Sequence, residues 1–286
     1  MIRNSPYLDN EAPLIALVTT PIGNIKDITY RAVEFLRDAD IVACEDTRNT
    51  GLLLSRYQIK PKKLVPLYAQ TELKNAKNLV QEVKKNKLKL AYCSDAGMPG
   101  ISDPGALLVQ AAYEEDVRVT VLPGATASLS ALVISGIDSA DFSFYGFLPT
   151  KAGAITTLLS SLVERKESLI FYESPKRVIK TLQKMKEVFG EDREATLVRE
   201  LTKIHEETIK GTLGELADIT TEIKGECVII VKGSSEKEVV DDKVIVKDIR
   251  KGLKEGESLS SLSKKLALKY NIGKNYIYKL GLTVSK

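Results

Sequence analysis

The sequence predicts an α/β protein: two successive α/β units followed by a small helical extension. Three observations carry this reading. Short apolar runs with strand character alternate with segments whose apolar residues repeat at helical spacing. Polar clusters rich in glycine and proline stand at the ends of those runs. The tail carries one helical apolar stripe, a break, and a second short one.

The elements follow in order. Leu14-Ile15-Ala16-Leu17-Val18 is the first strand and ends in the turn Thr20-Pro21-Ile22-Gly23-Asn24. Asp27 is expected to cap a helix whose apolar face holds Ala32, Val33 and Leu36. Ile41-Val42-Ala43 is a second strand, closed by Glu45-Asp46-Thr47-Arg48, and a helix follows through Leu52, Leu53 and Leu54. Leu64 to Tyr68 reads as an edge strand, because Pro66 cannot donate to a central ladder. A helix from Glu72 to about Lys85 leads into the strand around Leu88, Leu90, Ala91 and Tyr92. Next comes a loop from Ser94 to Gly105 with three glycines and two prolines in twelve residues. Asp103-Pro104 is expected to start the next helix, as N-cap and first helical residue. Val117 to Val121 is the last strand of this half, before Leu122-Pro123-Gly124. The alternation predicts a mostly parallel sheet covered on both faces, with a first unit over residues 1–124.

A second unit is expected over 125–233. It opens with a helix from Thr126 to Ser135, rich in small residues. Phe142-Ser143-Phe144, Ser168 to Tyr172, Thr196 to Arg199 and Cys227 to Val231 read as strands. Residues 234–286 are read as a charged linker and a basic, helix-turn-helix-like extension. Leu259, Leu262, Leu266 and Tyr270 form one stripe, Asn271-Ile272-Gly273 the break, and Tyr276, Ile277 and Leu280 the second.

Composition narrows the class. With 286 residues, 43% hydrophobic and 28% charged, the chain has the mix of a soluble globular protein and the length of about two domains. No apolar run is long enough for a transmembrane helix, and Met1 to Pro6 shows no signal-peptide core. Cys44, Cys93 and Cys227 are odd in number and far apart, which fits a reducing, cytoplasmic setting and no zinc site. With His205 as the one histidine, no metal centre is expected, and His205 itself reads as a surface or supporting residue. From Ser258 to Lys286 there are six lysines and no acid, with Tyr270, Tyr276 and Tyr278 among them. Positive charge beside stackable rings suits a nucleic-acid backbone, and equally a solvated helix whose tyrosines pack inward.

The loop from Ser94 to Gly105 is the strongest sign of a ligand. Such a loop loses much conformational entropy on ordering and lies at the carboxyl end of a strand, where open α/β sheets bind their ligands. The other polar clusters recur at the same kind of position, which favours one composite site. Dinucleotide and NTP phosphate loops, the G-x-S-x-G elbow and the common acidic-then-G-x-G-x-G methyltransferase loop are absent.

Six segments together resemble the RsmI family: TPIGN at Thr20–Asn24, EDTRNTG at Glu45–Gly51, SDAGMPGISDPG at Ser94–Gly105, YGFLP at Tyr145–Pro149, FYESP at Phe171–Pro175 and RELTK at Arg199–Lys203. The likeness runs from about Leu14 to Lys232, and the basic tail takes the place of that family's C-terminal extension. The family comprises small-subunit rRNA cytidine 2′-O-ribose methyltransferases on the two-domain tetrapyrrole-methylase fold. The resemblance implies a homodimer that folds S-adenosyl-L-methionine (SAM) into the cleft between its α/β domains. It implies a cytidine in the decoding region of 16S rRNA, within the 30S subunit, as substrate. By position it assigns cofactor binding to Pro21, Ile22, Asp95, Gly97, Met98, Ile101, Thr126, Ala127, Tyr172, Arg199 and Gly225.

Two departures stand out: Tyr68-Ala69-Gln70-Thr71-Glu72 replaces a common H-x-H-N-E segment, and Lys176 replaces a frequent histidine. Asp46 and Glu200 are the expected candidates for the base that accepts the hydroxyl proton, each equally readable as half of an ion pair. Arg48, Arg177 and Lys203 are expected to grip RNA phosphates, with Lys264, Lys265, Lys269 and Lys274 in the tail. Two rival readings stay open: a methylase of the same fold acting on a small molecule or protein, and a non-catalytic RNA-binding ribosome factor.

Overall fold

The computed structural model of the chain describes residues 4–6, 13–68, 72–234, 242–270 and 273–284. The chain forms two compact units, Met1–Ser234 and Ser235–Lys286. The larger unit holds two five-stranded sheets.

The first sheet is built from β1 (Leu14–Val18), β2 (Ile41–Cys44), β3 (Leu64–Pro66), β4 (Lys89–Cys93) and β5 (Arg118–Leu122), in the order β3-β2-β4-β1-β5. Every pairing in it is parallel. The runs LIALV and IVAC are buried along their whole length because helices cover both faces. On one side Ile15, Leu17 and Tyr92 pack with α3 (Glu72–Asn86) and α4 (Ala106–Glu114). On the other, Ala16, Val18 and Val42 pack with α1 (Tyr30–Asp38) and α2 (Thr47–Arg56). The edge position of β3, with its proline, agrees with the sequence reading.

The second sheet has the order β6-β7-β10-β8-β9, from β6 (Phe142–Phe147), β7 (Ser168–Glu173), β8 (Glu194–Arg199), β9 (Glu207–Thr212) and β10 (Cys227–Val231). Only β6 and β7 run parallel, and the other three pairings are antiparallel. One face carries α5 (Ala127–Ser135), with Ala131 and Leu132 against Ile170, Val198 and Ile230. The other is covered by α6 (Ala152–Ser161), α7 (Val178–Phe189) and α8 (Leu213–Ala217), which bury Leu159, Leu182, Met185 and Leu216.

Two helix starts differ from expectation. Thr29, not Asp27, caps α1: its hydroxyl accepts the Ala32 N–H, while Asn24 caps a separate 3-10 turn over Ile25–Asp27. Likewise α4 begins at Ala106 behind Gly105. Asp103-Pro104 stays in the loop, where the Pro104 carbonyl accepts the Gly100 N–H at 3.0 Å and closes the loop on itself.

The smaller unit packs α9 (Asp242–Lys254), α10 (Leu259–Tyr270) and α11 (Lys274–Val284) around Ile245, Ile249, Leu266 and Ile277. The first of these helices extends the two-helix expectation. The proposed break at Asn271-Ile272 and the departure at Ala69-Gln70-Thr71 lie outside the described residues. Among the described residues no helix is long and apolar enough to cross a membrane.

Candidate functional site

All strands of the parallel sheet end on one side, so their following loops converge there. The loop after β1 and the glycine-rich loop after β4 are joined by a two-residue bridge. Thr20 N–H donates to the Gly97 carbonyl at 2.9 Å, and Gly97 N–H returns the bond at 3.1 Å. The Ser94 hydroxyl donates to the same Gly97 carbonyl, and the Thr20 hydroxyl donates to the Ser94 carbonyl. Gly97 has φ +80°, and a Cβ there would sit 3.3 Å from Ile22 Cγ2 and 3.7 Å from the Ala125 carbonyl. Residues following β1, β4 and β5 thus meet at one backbone point where only glycine is unstrained.

Asp95 faces the start of α2. Its carboxylate accepts the Asp46 N–H at 3.2 Å and the Asn49 side-chain amide at 3.0 Å. Beside it, burial and the neighbouring Glu45 and Asp95 carboxylates push Asp103 up to about 6. Burial, then the charges of Asp95 and Asp46, also raise Glu45. Asp103 and Glu45 were not singled out as site residues in the sequence; only a half-buried position beside other acids distinguishes them. A pocket of about 250 Å³ opens next to this cluster, with Thr20, Pro21, Asn49, Ser94 and Asp95 among its walls. Among the described residues no group of three His, Cys, Asp or Glu side chains is placed to hold a metal ion.

The second sheet closes on these loops from β6, β7 and β8. Gly146 in β6 comes against Ser102 of the glycine-rich loop, whose hydroxyl would lie 3.2 Å from an added Cβ. The Tyr172 hydroxyl at the end of β7 accepts the Ser128 N–H at 3.2 Å, at the first turn of α5 beside Thr126 and Ala127. After β8, Leu201–Lys203 folds over the loop after β1: Asn24 N–H donates to Thr202 Oγ1 at 3.0 Å. Ile22 is buried beneath, Met98 is half-buried and Ile101 is 46% exposed. The expected cofactor residues of β1, β4, α5 and β7 therefore gather at one cleft. Arg199 and Gly225 stand at the neighbouring ends of β8 and β10, with Arg199 paired to Glu207 at 2.6 Å.

The partners present bear on several of the expected roles. Asp46 caps α2 through the Arg48 N–H and pairs with the Arg48 guanidinium at 2.7 Å, which holds its carboxyl at about 2. Glu200 accepts Lys203 at 2.9 Å and the Glu226 N–H at 3.1 Å, and these contacts hold it below the ordinary carboxylate range. Carboxylates so stabilised in the charged form are weak proton acceptors, so the ion-pair reading fits both. Arg177 donates to the Leu148 and Pro149 carbonyls and pairs with buried Glu173 at 3.2 Å, so its guanidinium is tied within the fold. Lys203 is spoken for by Glu200 and Glu226. Arg48 keeps its side chain in solvent despite Asp46. In the tail, Lys265 pairs with Glu257 at 2.9 Å and Lys269 with Asp248 at 2.5 Å, whereas Lys264 and Lys274 are exposed. Tyr270 and Tyr276 donate their hydroxyls to Asp248 and Asp242 of α9. His205 is exposed, and all three cysteines are buried and free.

Comparison with known proteins agrees with this architecture. The family model for Tetrapyrrole (Corrin/Porphyrin) Methylases matches residues 14–217. "Ribosomal RNA small subunit methyltransferase I" of Haemophilus influenzae is 41% identical over 276 residues, covering 94% of this chain and 96% of its own. The protein of that name from Streptococcus pyogenes serotype M1 is 40% identical, covering 92% of each chain. The Bacillus subtilis one is 37% identical, covering 93% and 92%. Among solved structures, a diphthine synthase superposes with a TM-score of 0.61 at 15% identity, over 78% of this chain and 90% of its own. The last likeness is one of fold; the curated relatives are close over nearly the whole chain. The chain belongs to the tetrapyrrole methylase family and, within it, to the ribosomal RNA small subunit methyltransferase I group.

Proposed function

We propose that the chain transfers a methyl group from SAM to the ribose 2′-hydroxyl of a cytidine in the decoding region of 16S rRNA, acting on the small ribosomal subunit. The observation that carries this reading is the glycine-rich loop of that family, intact and joined to the loop after β1 at Gly97. The residues present fit SAM. Gly97 leaves room for close approach of a ligand to the backbone. Ile101 offers apolar surface, and the acids Glu45, Asp95 and Asp103 collect negative charge suited to its sulfonium and ammonium groups.

When bound, SAM supplies a methyl already activated on a sulfonium sulfur. The chain then has to hold the 2′-oxygen in line with it and exclude water. Alignment of this kind is worth about 7–11 kcal/mol in intramolecular systems. The bridge between Thr20 and Gly97 and the Thr202–Asn24 contact fix the loops that do the holding. Asp103, near neutrality in its affinity for protons, is better matched to accepting the hydroxyl proton than Asp46 or Glu200. Exposed Val121, Leu129 and Val133, on edge strand β5 and one face of α5, support a homodimer.

The test is transfer of labelled methyl from SAM to 30S subunits purified from cells lacking this protein, with mapping of the modified nucleotide. A 2′-O-methylcytidine in the decoding region is expected. Measurable SAM binding without transfer to 30S would turn the assignment toward a small-molecule or protein substrate.

A further inference from the structure

Strand β6 carries one residue too many. Phe144 lies opposite Ile170, Gly146 opposite Phe171 and Phe147 opposite Tyr172, so a bulge falls at Tyr145. Side chains alternate between the two faces of a strand, and an extra residue reverses the parity of everything after it. Tyr145 lies on the face covered by α6, α7 and α8, its ring stacked on Phe171 at 5.4 Å. In a regular strand Phe147 would follow it into that core. The bulge turns Phe147 to the opposite face instead, where its ring meets Tyr172 edge-on at 5.6 Å. Phe144 braces the same tyrosine at 4.8 Å, and the Tyr172 hydroxyl is tied to Ser128.

The bulge also stands against the cofactor loop. Gly146 adopts φ +63°, and the hydroxyl of Ser102 fills the space a Cβ would claim. A lost ladder position and a left-handed glycine therefore bring a phenyl ring out of a core and set it beside the methyl-transfer cleft. Phe147 is 60% exposed although a fixed aromatic side chain supports its ring. Regular strand geometry would have buried this ring, so packing does not explain its position.

We infer that Phe147 is a stacking platform for the base of the target nucleotide, an inference that rests on the RNA reading above. A 2′-hydroxyl enters a closed cleft only when its nucleotide is drawn out of its stack, and splayed bases are held on aromatic faces in RNA recognition. A nucleobase could also come from the cofactor's adenine. Ile22 and Tyr172, two of the expected cofactor contacts, are more buried than Phe147, whose open position suits the partner that arrives last.

The experiment compares the full-length chain with F147A, F147L and F147W, using 30S subunits from cells lacking this protein. SAM affinity is measured separately by calorimetry. F147A is expected to lower kcat/KM for subunits roughly 5- to 150-fold, the range that stacking supplies per base, with SAM affinity unchanged. F147W is expected to retain activity, and F147L, apolar but without a ring face, to lose it as F147A does. Full activity of F147A overturns the inference, and full activity of F147L reduces the residue to apolar packing. Weakened SAM binding with an unchanged KM for subunits reassigns the ring to adenine. If the wild-type chain methylates no RNA, the functional reading itself fails, and this inference with it.

Discussion

The backbone N–H of Asn24 donates to the Thr202 hydroxyl at 3.0 Å, tying the loop after β1 of the parallel sheet to the loop after β8 of the mixed one. Thr202 is not at ease there: its φ is +66°, and Glu200 two residues earlier has φ +50°. For β-branched threonine this conformation costs on the order of 1–3 kcal/mol. The Thr202 N–H is held by Glu206 at 2.6 Å, so the loop is fixed from both sides. Because buried Ile22, two residues before Asn24, lies against Gly97, the tie governs how firmly the loops after β1 and β4 are held.

Thr202→Ala removes the acceptor and keeps the strain. It is expected to weaken SAM binding about 2- to 10-fold, as the loss of one ordinary hydrogen bond does, with turnover at saturating SAM nearly unchanged. Thr202→Ser should restore affinity. Calorimetric titration with SAM, beside kcat on 30S subunits, checks the split; an equal loss in kcat would mean that Thr202 acts on the chemical step.

Gly97→Ala adds a methyl 3.3 Å from Ile22 Cγ2 at a φ of +80°. The left-handed backbone costs about 1–2 kcal/mol for a residue with a Cβ, and relief would come from moving the Thr20–Gly97 bridge. SAM affinity is expected to fall at least tenfold while the fold is kept, readable as a lost ligand-induced rise in Tm. Unchanged affinity would remove Gly97 from the site.

The parallel sheet was legible because LIALV and IVAC have no polar face to confuse with a helix. The edge strand β9, reading Glu-Thr-Ile-Lys-Gly-Thr, was not: none of it is buried, so its order comes from pairing with β8 rather than from burial. The Asp103-Pro104 signal was a genuine cap pattern, overridden because the Pro104 carbonyl is used to close the loop on Gly100. The loop motifs come together at one cleft, but what each side chain meets there depends on partners the motifs do not announce. Asp46 and Glu200 look alike in the sequence, and only the fold shows Arg48 and Lys203 as their partners. Nothing near Asn24 announces Thr202, and nothing in the tail announces that Asp248 of α9 takes Lys269.

Asp103 gives the site a pH signature. Its proton affinity in the folded chain, about 6 against an ordinary 3.8, means that the native state binds more protons than the unfolded one between those values. The charged carboxylate therefore costs stability, a cost absent below about pH 4 and fully present above pH 6. Asp103→Asn is expected to raise the Tm of the ligand-free protein at pH 7, by about 2–4 °C per kcal/mol recovered. The gain should vanish at pH 4. The same change removes a negative charge that a cationic cofactor would meet, so SAM affinity should fall and lose its rise through pH 6. A variant that binds SAM as the wild type does at every pH would remove Asp103 from the cofactor's surroundings.

The basic tail is more neutral in three dimensions than along the chain. Lys265 and Lys269 are paired with Glu257 and Asp248, and Tyr270 and Tyr276 spend their hydroxyls on α9. Exposed Lys264 and Lys274 remain for phosphates, and α9 through α11 share one core. Truncation at Ser258 would strip Ile245 and Ile249 of Leu266 and Ile277, so point substitutions are the cleaner probe. Each lysine that displaces a counterion from RNA contributes about 0.7–0.9 to the slope of log K against log salt. The double change Lys264→Ala, Lys274→Ala is expected to flatten that slope for subunit binding by about 1.4–1.8, with SAM affinity untouched. Lys265→Ala, which removes a charge already compensated by Glu257, should flatten it less. Equal slopes for the wild type and the double variant would show that this helical unit meets the subunit through some other face.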